Sequence, residues 1–322
     1  MRLGFAVKVT GRADLPSNDA RRWQNGPHLR VSLSYLDAIL DYLAATDILM
    51  YRISSDLAPY VTHPDLPQFH QQIDECADDL AQIGAKARSL GIRLSFHPSQ
   101  FILLNSPDPA LVAKSVQDLA AQARMLDAMG LGSEAVVVTH VGGVYGDLAL
   151  GRERWALAWE QLPEPVRRRL VLEHDDTRFD AADVLWIHAR TGVRLVFDYL
   201  HHWCLNRAGL EPHEALAHCL ATWPADQTPK IHFSSPRTEQ RLLTRKNRAT
   251  GKPEQVQAAP IWSGHADYIN PFEFIGFLRG AAGQRKFDVM LETKLKDLAL
   301  IQLREDLARY APDVVRASLA RF

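Results

Sequence analysis

Cysteine is scarce in this chain: Cys76, Cys204 and Cys219 are the only three in 322 residues, with no Cys-x-x-Cys spacing. An odd, unclustered set argues against a disulfide framework and against a thiolate zinc site, so any bound metal must use nitrogen and oxygen ligands. No apolar stretch approaches the roughly 20 residues needed to cross a bilayer. No basic segment leads into an apolar run and a cleavage site at the N-terminus, and the chain is expected to work in the cytosol. Charge of one sign is also missing: 37 Lys and Arg balance 38 Asp and Glu for a net of −1. Any grip on a polyanion must therefore come from a local patch rather than from the field of the whole molecule. There is no low-complexity tract, no sequence repeat and no Gly-x-Gly-x-x-Gly after any strand-like run, which weighs against a dinucleotide fold. With 47% hydrophobic and 23% charged residues, the composition excludes a disordered or collagenous chain.

What is present is an alternation. Short β-branched apolar runs, ending near Val9, Ser54, Phe96, Thr139, Leu172, Phe197, Phe233 and Leu291, are separated by segments of helical period, the pattern of a parallel sheet wrapped by helices. One helix is expected after Asp108 as N-cap and Pro109 as first residue, with Val112, Val116, Leu119, Ala123 and Leu126 on its apolar face and Gly130 just past its end. A second is expected from Phe69 to Leu90, stopped by Gly91. Eight such units predict an α/β fold of one domain, a single (β/α)8 TIM barrel over residues 1–322, with a metal site at the C-terminal face of its strands.

The rhythm breaks once. From Ser234 to Gly264 apolar periodicity is weak, and Arg237, Arg241, Arg245, Lys246, Arg248 and Lys252 meet only Glu239 between positions 237 and 252. Loops this long are uncommon unless they are functional. In a barrel this one sits on the active-site face, so a phosphate-gripping role is expected over a solvated excursion.

Polar residues able to bind metals recur at successive strand ends: His97, His140, Glu173, Asp198 with His201 three residues on, His232 and Glu292, with His265 and Asp267 beyond the long loop. In a barrel these converge. Two carboxylates about 4 Å apart repel by about 4 kcal/mol at an effective dielectric of about 20. Lys230 and Lys294 can offset part of that, but neutral imidazoles among acids point to divalent cations, with zinc or manganese suited to the donor set. His174 and His202 are expected to support the ligands. His28, His63, His70, His188, His213 and His218 lack the registration and are read as ordinary.

Ser-Phe-His-Pro-Ser-Gln-Phe (95–101), His-Val-Gly-Gly-Val-Tyr-Gly-Asp (140–147), Leu-Glu-His-Asp-Asp (172–176), Phe-Asp-Tyr-Leu-His-His (197–202), Lys-Ile-His-Phe-Ser (230–234), His-Ala-Asp-Tyr-Ile (265–269) and Met-Leu-Glu-Thr-Lys (290–294) resemble, in order, the motifs of the UV damage endonucleases. The resemblance implies a TIM barrel related to endonuclease IV with up to three divalent ions, usually manganese. By position it implies one ion on His97, His140 and Glu173, a second on Glu173, Asp198, His232 and Glu292, and a third on His201 and His265, with Asp267 either a ligand or a supporting residue. Lys230 would act beside the ions as a neutral amine, a carboxylated lysine or the partner of a ligand. Gln100 and Phe101 would be the pair inserted into the duplex, and Phe5 a DNA contact where the family more often has Tyr. Further departures are Val9, His174 and Val141.

The function these features imply is a metal-dependent repair endonuclease. It would nick the phosphodiester 5′ to ultraviolet photolesions, cyclobutane dimers and 6-4 products, with abasic sites a further candidate. It is expected to act as a monomer on damaged double-stranded DNA without a membrane or an obligate protein partner. A sugar isomerase or epimerase of the related barrels is the rival enzyme class, and a non-catalytic binder of damaged DNA the rival outside enzymes.

Overall fold

Buried β-branched and leucine runs become the parallel strands, as their pattern requires. In the computed structural model, which describes residues 1–318, these are β1 (Leu3–Ala6), β2 (Met50–Arg52), β3 (Arg93–Ser95), β4 (Val137–His140), β5 (Leu170–Glu173), β6 (Arg194–Val196) and β7 (Lys230–Phe233). Then come β8 (Pro236–Arg237), β9 (Arg241–Lys246), β10 (Pro253–Ala258), β11 (Ile261–His265) and, closing the series, β12 (Asp288–Leu291). Hydrogen bonding orders five of the parallel strands β3-β2-β1-β12-β7 and three β4-β5-β6. Single parallel bridges, Phe96 to Val137 and Asp198 to His232, lie between the two sets. The result is a curled parallel sheet wrapped by helices.

The helices are α1 (Leu29–Ala45), α2 (Gln72–Glu75), α3 (Ala77–Ser89), α4 (Pro109–Ala128), α5 (Leu148–Gln161), α6 (Glu164–Arg169), α7 (Ala181–Thr191), α8 (Tyr199–Cys204), α9 (Pro212–Ala221), α10 (Pro271–Gly280), α11 (Lys296–Tyr310) and α12 (Pro312–Ser318). α4 starts where the cap signal places it: the Asp108 carboxylate accepts the Ala110 N–H at 2.9 Å, and Gly130 takes φ +61° beyond its end. Such a cap is worth about 1 kcal/mol. Below the strands, at their N-terminal ends, Arg93 and Asp288 form a buried ion pair at 2.9 Å. That end of the sheet is tied by charge, while the opposite end gathers the imidazoles.

Three expectations change. β1 stops at Ala6, short of Val9, because Val7 turns to φ +66°. Beyond the turn, the Thr10 and Gly11 N–H groups are taken by the Asp297 carboxylate at 2.6 and 3.0 Å instead of by a strand. The continuous helix expected from Phe69 to Leu90 is a 3-10 turn (Pro67–Phe69), α2 and α3. Its first turn is spent elsewhere: the buried Gln72 amide bonds Leu29 N, Pro59 O and Phe69 O. The long basic loop is a β arm. β9 and β10 pair antiparallel from Arg241 opposite Ala258 to Lys246 opposite Pro253, and β8 pairs with β11 at its base.

Candidate metal centre and nucleic-acid interface

Each strand of the set delivers its last inward side chain to the same rim, because residues two apart on a strand share a face. Glu173, at the end of β5, is fully buried and lies at the centre. One carboxylate oxygen is 3.1 Å from His97 Nε2 and 3.8 Å from His140 Nε2. The other is 2.8 Å from His232 Nδ1 and 3.4 Å from His201 Nδ1. Three trios of donors lie mutually within 4.8 Å: His97, Glu173 and His232; His140, Glu173 and His201; Asp198, His232 and Glu292. The rim therefore brings together seven of the eight residues singled out as metal ligands. The eighth, His265, stands 3.8 Å by Nε2 from Glu292 Oε2, with its ring 6.3 Å from that of His201.

The electrostatics fit cations. Burial works to raise the Glu173 carboxyl, but His232 and His140, with hydrogen bonds from His201 and His232, hold it well below the usual carboxylate range. Burial, reinforced by Glu173 and Glu292, pushes Asp198 up to about 7 although His201 opposes it. Burial drives His232 down to about 3 and also lowers His140. His201 goes the other way: burial opposes its protonation, but Asp198 and Glu173 hold it well above the usual value. Asp198 Oδ2, His140 Nδ1 and His265 Nδ1 are buried without a hydrogen-bond partner. The Asp198 oxygen is an acceptor that is costly to leave unpaired in a dry site and that a divalent ion would satisfy, while His140 and His265 turn their other nitrogen, Nε2, toward Glu173 and Glu292. The nitrogen and oxygen donors suit manganese or zinc alike.

Supporting contacts orient the rim. His174 accepts the Asp198 N–H at Nε2, 3.0 Å away, and its carbonyl accepts from His201 Nδ1 at 3.0 Å. His202 bonds the Leu210 carbonyl. The histidines read as ordinary include His28, which caps α1, and His70, His188 and His213, which bond backbone carbonyls.

Lys230 is buried with its Nζ donating to Ser95 Oγ at 2.9 Å. It forms no ion pair among the described residues, so the salt bridge to a ligand is not the arrangement seen. Burial, with Arg52 and Arg93 nearby, pushes its ammonium well below the usual lysine value. Asp267 is turned toward the arm, pairing with Arg241 Nη2 at 3.1 Å, and lies outside the three donor trios.

Two DNA-contact expectations part company. Phe101 is 70% exposed while its neighbours Ile102 and Leu104 are buried, so the chain turns its ring outward rather than into the core. Gln100 beside it is exposed too. Phe5 is corrected: it is 0% exposed and packs edge-on against Tyr51 at 5.4 Å. On β1 its parity points it into the helix layer, away from the rim. On the arm, Arg245, Lys246 and Arg248 are exposed, and Arg237 and Arg241 are half-buried near the base.

Some rim residues escaped the sequence reading. Arg52, at the end of β2, reaches His232 Nε2 at 2.9 Å and pairs with Glu292. Trp203 and Trp262 are exposed on α8 and β11. The Arg-Ile-Ser-Ser run (52–55) was a signal, since a basic residue at an apolar strand's end breaks the pattern. The tryptophans had none.

Known proteins resemble this chain in sequence and in fold. The family model described as UV-endonuclease UvdE matches residues 30–319. The UV DNA damage endonuclease of Bacillus velezensis is 31% identical over 271 residues, 84% of this chain and 78% of that one. The one from Bacillus cereus strain B4264 is 34% identical over 284 residues, 87% and 82% of the two chains. The crystal structure of SacUVDE superposes with a TM-score of 0.77 at 28% identity, covering 96% of this chain and 98% of the other. A D-psicose 3-epimerase from Clostridium cellulolyticum H10 shares the fold at a TM-score of 0.56 and 10% identity, over 98% and 99% of the chains.

Proposed function

Because the chain belongs to the UV-endonuclease family, we propose that it is a DNA repair endonuclease that nicks one strand 5′ to ultraviolet photolesions, using divalent cations held at the rim. Most weight falls on one observation, the gathering of six imidazole and carboxylate side chains, from five strand ends and the start of α8, with Glu173 at one rim. His97, His140 and Glu173 would hold one ion; Glu173, Asp198, His232 and Glu292 a second; His201 and His265 a third. Manganese is the preferred metal and zinc the alternative. Such ions make water a competent nucleophile at neutral pH and stabilise negative charge on phosphate oxygens.

The chain's own residues supply the rest. Glu173, whose two oxygens face different imidazoles, would contribute to both the first and the second ion site. Lys230, held by Ser95, lies below the rim as a neutral amine. Phe101 enters the stack and Gln100 meets the bases left without partners, so that extrusion, which costs a few kcal/mol in sound duplex, is cheapest where a crosslink has already weakened stacking. Arg237, Arg241, Arg245, Lys246 and Arg248 hold flanking phosphates, so affinity comes from the backbone and selection from distortion. We take the eight parallel strands as one closed (β/α)8 barrel and one domain, a view the two single bridges support. No helix among the described residues is long and apolar enough to cross a membrane; separately, we propose that the chain acts on DNA as a monomer in the cytosol.

An epimerase activity gains nothing from a likeness at 10% identity, and it leaves Phe101 and the basic arm without work. An end-labelled duplex carrying one cyclobutane dimer tests the proposal. A single break immediately 5′ to the dimer is expected. A break elsewhere, or none beside turnover of a ketose, would overturn it.

A further inference from the structure

Arg52 is 8% exposed and leaves β2 directly into the corner shared by His232 and Glu292. A guanidinium has only donors, so its Nη2 contact at 2.9 Å makes His232 Nε2 an acceptor. A carboxylate only accepts, so the 2.8 Å contact with Glu173 places the ring's proton on Nδ1. The tautomer is thereby fixed: His232 shows its proton to the acids and its one lone pair to Arg52. The same guanidinium pairs with Glu292, and its Nε is buried without a partner.

A neutral imidazole has a single lone pair. A cation taken at Nε2 would use the pair that Arg52 now holds. A cation taken at Nδ1 would put the proton on Nε2, donor against donor with Arg52. Either way the bond between Arg52 and His232 and metal ligation by His232 exclude each other, and a divalent ion on Glu292 would also repel the guanidinium. From this we infer that Arg52 is a built-in counter-ion that competes with a cation for the His232 and Glu292 corner and, when displaced from it, serves as a phosphate-positioning donor at the rim. The second role follows from reach and chemistry. Released from two partners with a third donor already unpaired, a rim guanidinium meets a phosphodiester as its natural bidentate acceptor.

The inference rests on the metal-bound reading above, and its test separates the two. Manganese binding to the DNA-free chain is measured by calorimetry for wild type and for Arg52→Met, which keeps bulk and removes charge. Cleavage of a dimer-containing duplex at saturating manganese is measured for both. Opposite signs are expected: at least fivefold tighter binding of one manganese ion, with kcat at least tenfold lower. Unchanged or weaker manganese affinity in the variant overturns the counter-ion role. Tighter affinity with unaltered kcat overturns the phosphate role. A wild-type chain that takes up no manganese overturns the metal reading and this inference with it. Should Arg52→Met not fold, nitrogen-15 spectra of the wild-type histidine rings during titration with diamagnetic Zn2+ decide. A changed Nε2 resonance of His232 on loading supports the exchange, and an unmoved one contradicts it.

Discussion

One oxygen of Glu173 lies 2.8 Å from Nδ1 of His232 and the other 3.1 Å from Nε2 of His97, so a single buried carboxylate spans both halves of the rim. Removing its charge should separate binding from chemistry. Glu173→Gln keeps shape and some hydrogen bonding but gives up the anion proposed to serve two ion sites. Cleavage should fall by a factor of at least about 1,000, equivalent to about 4 kcal/mol of transition-state stabilisation. Damaged-duplex affinity measured by fluorescence anisotropy should stay within threefold. Undiminished nicking would remove Glu173 from the centre.

Phe101 and Phe96 sit five residues apart with opposite surroundings, exposed and fully buried. Phe96→Ala should cost about 3–5 kcal/mol of stability, the range for a buried aromatic. Phe101→Ala should change stability by no more than about 0.5 kcal/mol. Yet Phe101→Ala should lose at least tenfold in cleavage of a dimer-containing duplex. Chemical denaturation and single-turnover cleavage check the pair, and full activity in Phe101→Ala would make its exposure incidental.

The arm gives a prediction in salt. Replacing Arg245 and Lys246 by alanine should flatten the slope of log affinity against log salt by up to about 1.8, at roughly 0.9 per phosphate contact. Binding should weaken alike for damaged and undamaged duplex. An unchanged slope would return the arm to a solvated surface feature.

Strand ends were readable from the sequence because burial on both faces makes apolar runs that stop where the polar ligand begins, as at Leu-Val-Leu-Glu173. The arm was not, because β9 and β10 expose one face entirely and, with no core to cover, carry no strict apolar alternation to mark them as strands. Phe5 was expected at the DNA because the resemblance places a DNA-contacting aromatic there. Its strand parity, set by pairing with β2, decides that it faces the helices. Arg52 stood out at its strand end but its role did not, because its partners, His232 and Glu292, lie 180 and 240 positions away along the chain.

On the proposed ligand set, protons and metal ions would compete for the same atoms at this rim. Asp198, pushed to about 7 by burial and its acidic neighbours, and His201, held protonated by Asp198 and Glu173 against the effect of burial, must both release protons before they bind a cation. Manganese affinity should therefore rise with pH between 6 and 8, by about tenfold per unit for each proton displaced. Calorimetry in two buffers of different ionisation enthalpy counts those protons. Affinity that is flat with pH would show that neither group is a ligand.

The most direct measurement is nicking of ultraviolet-irradiated supercoiled DNA by chain stripped of metal with a chelator, before and after manganese is restored. Relaxation of irradiated plasmid only after manganese is added, with unirradiated plasmid left intact, is the expected result. Equal nicking by the stripped chain, or none at saturating manganese, would contradict a rim that works by gathering cations around Glu173.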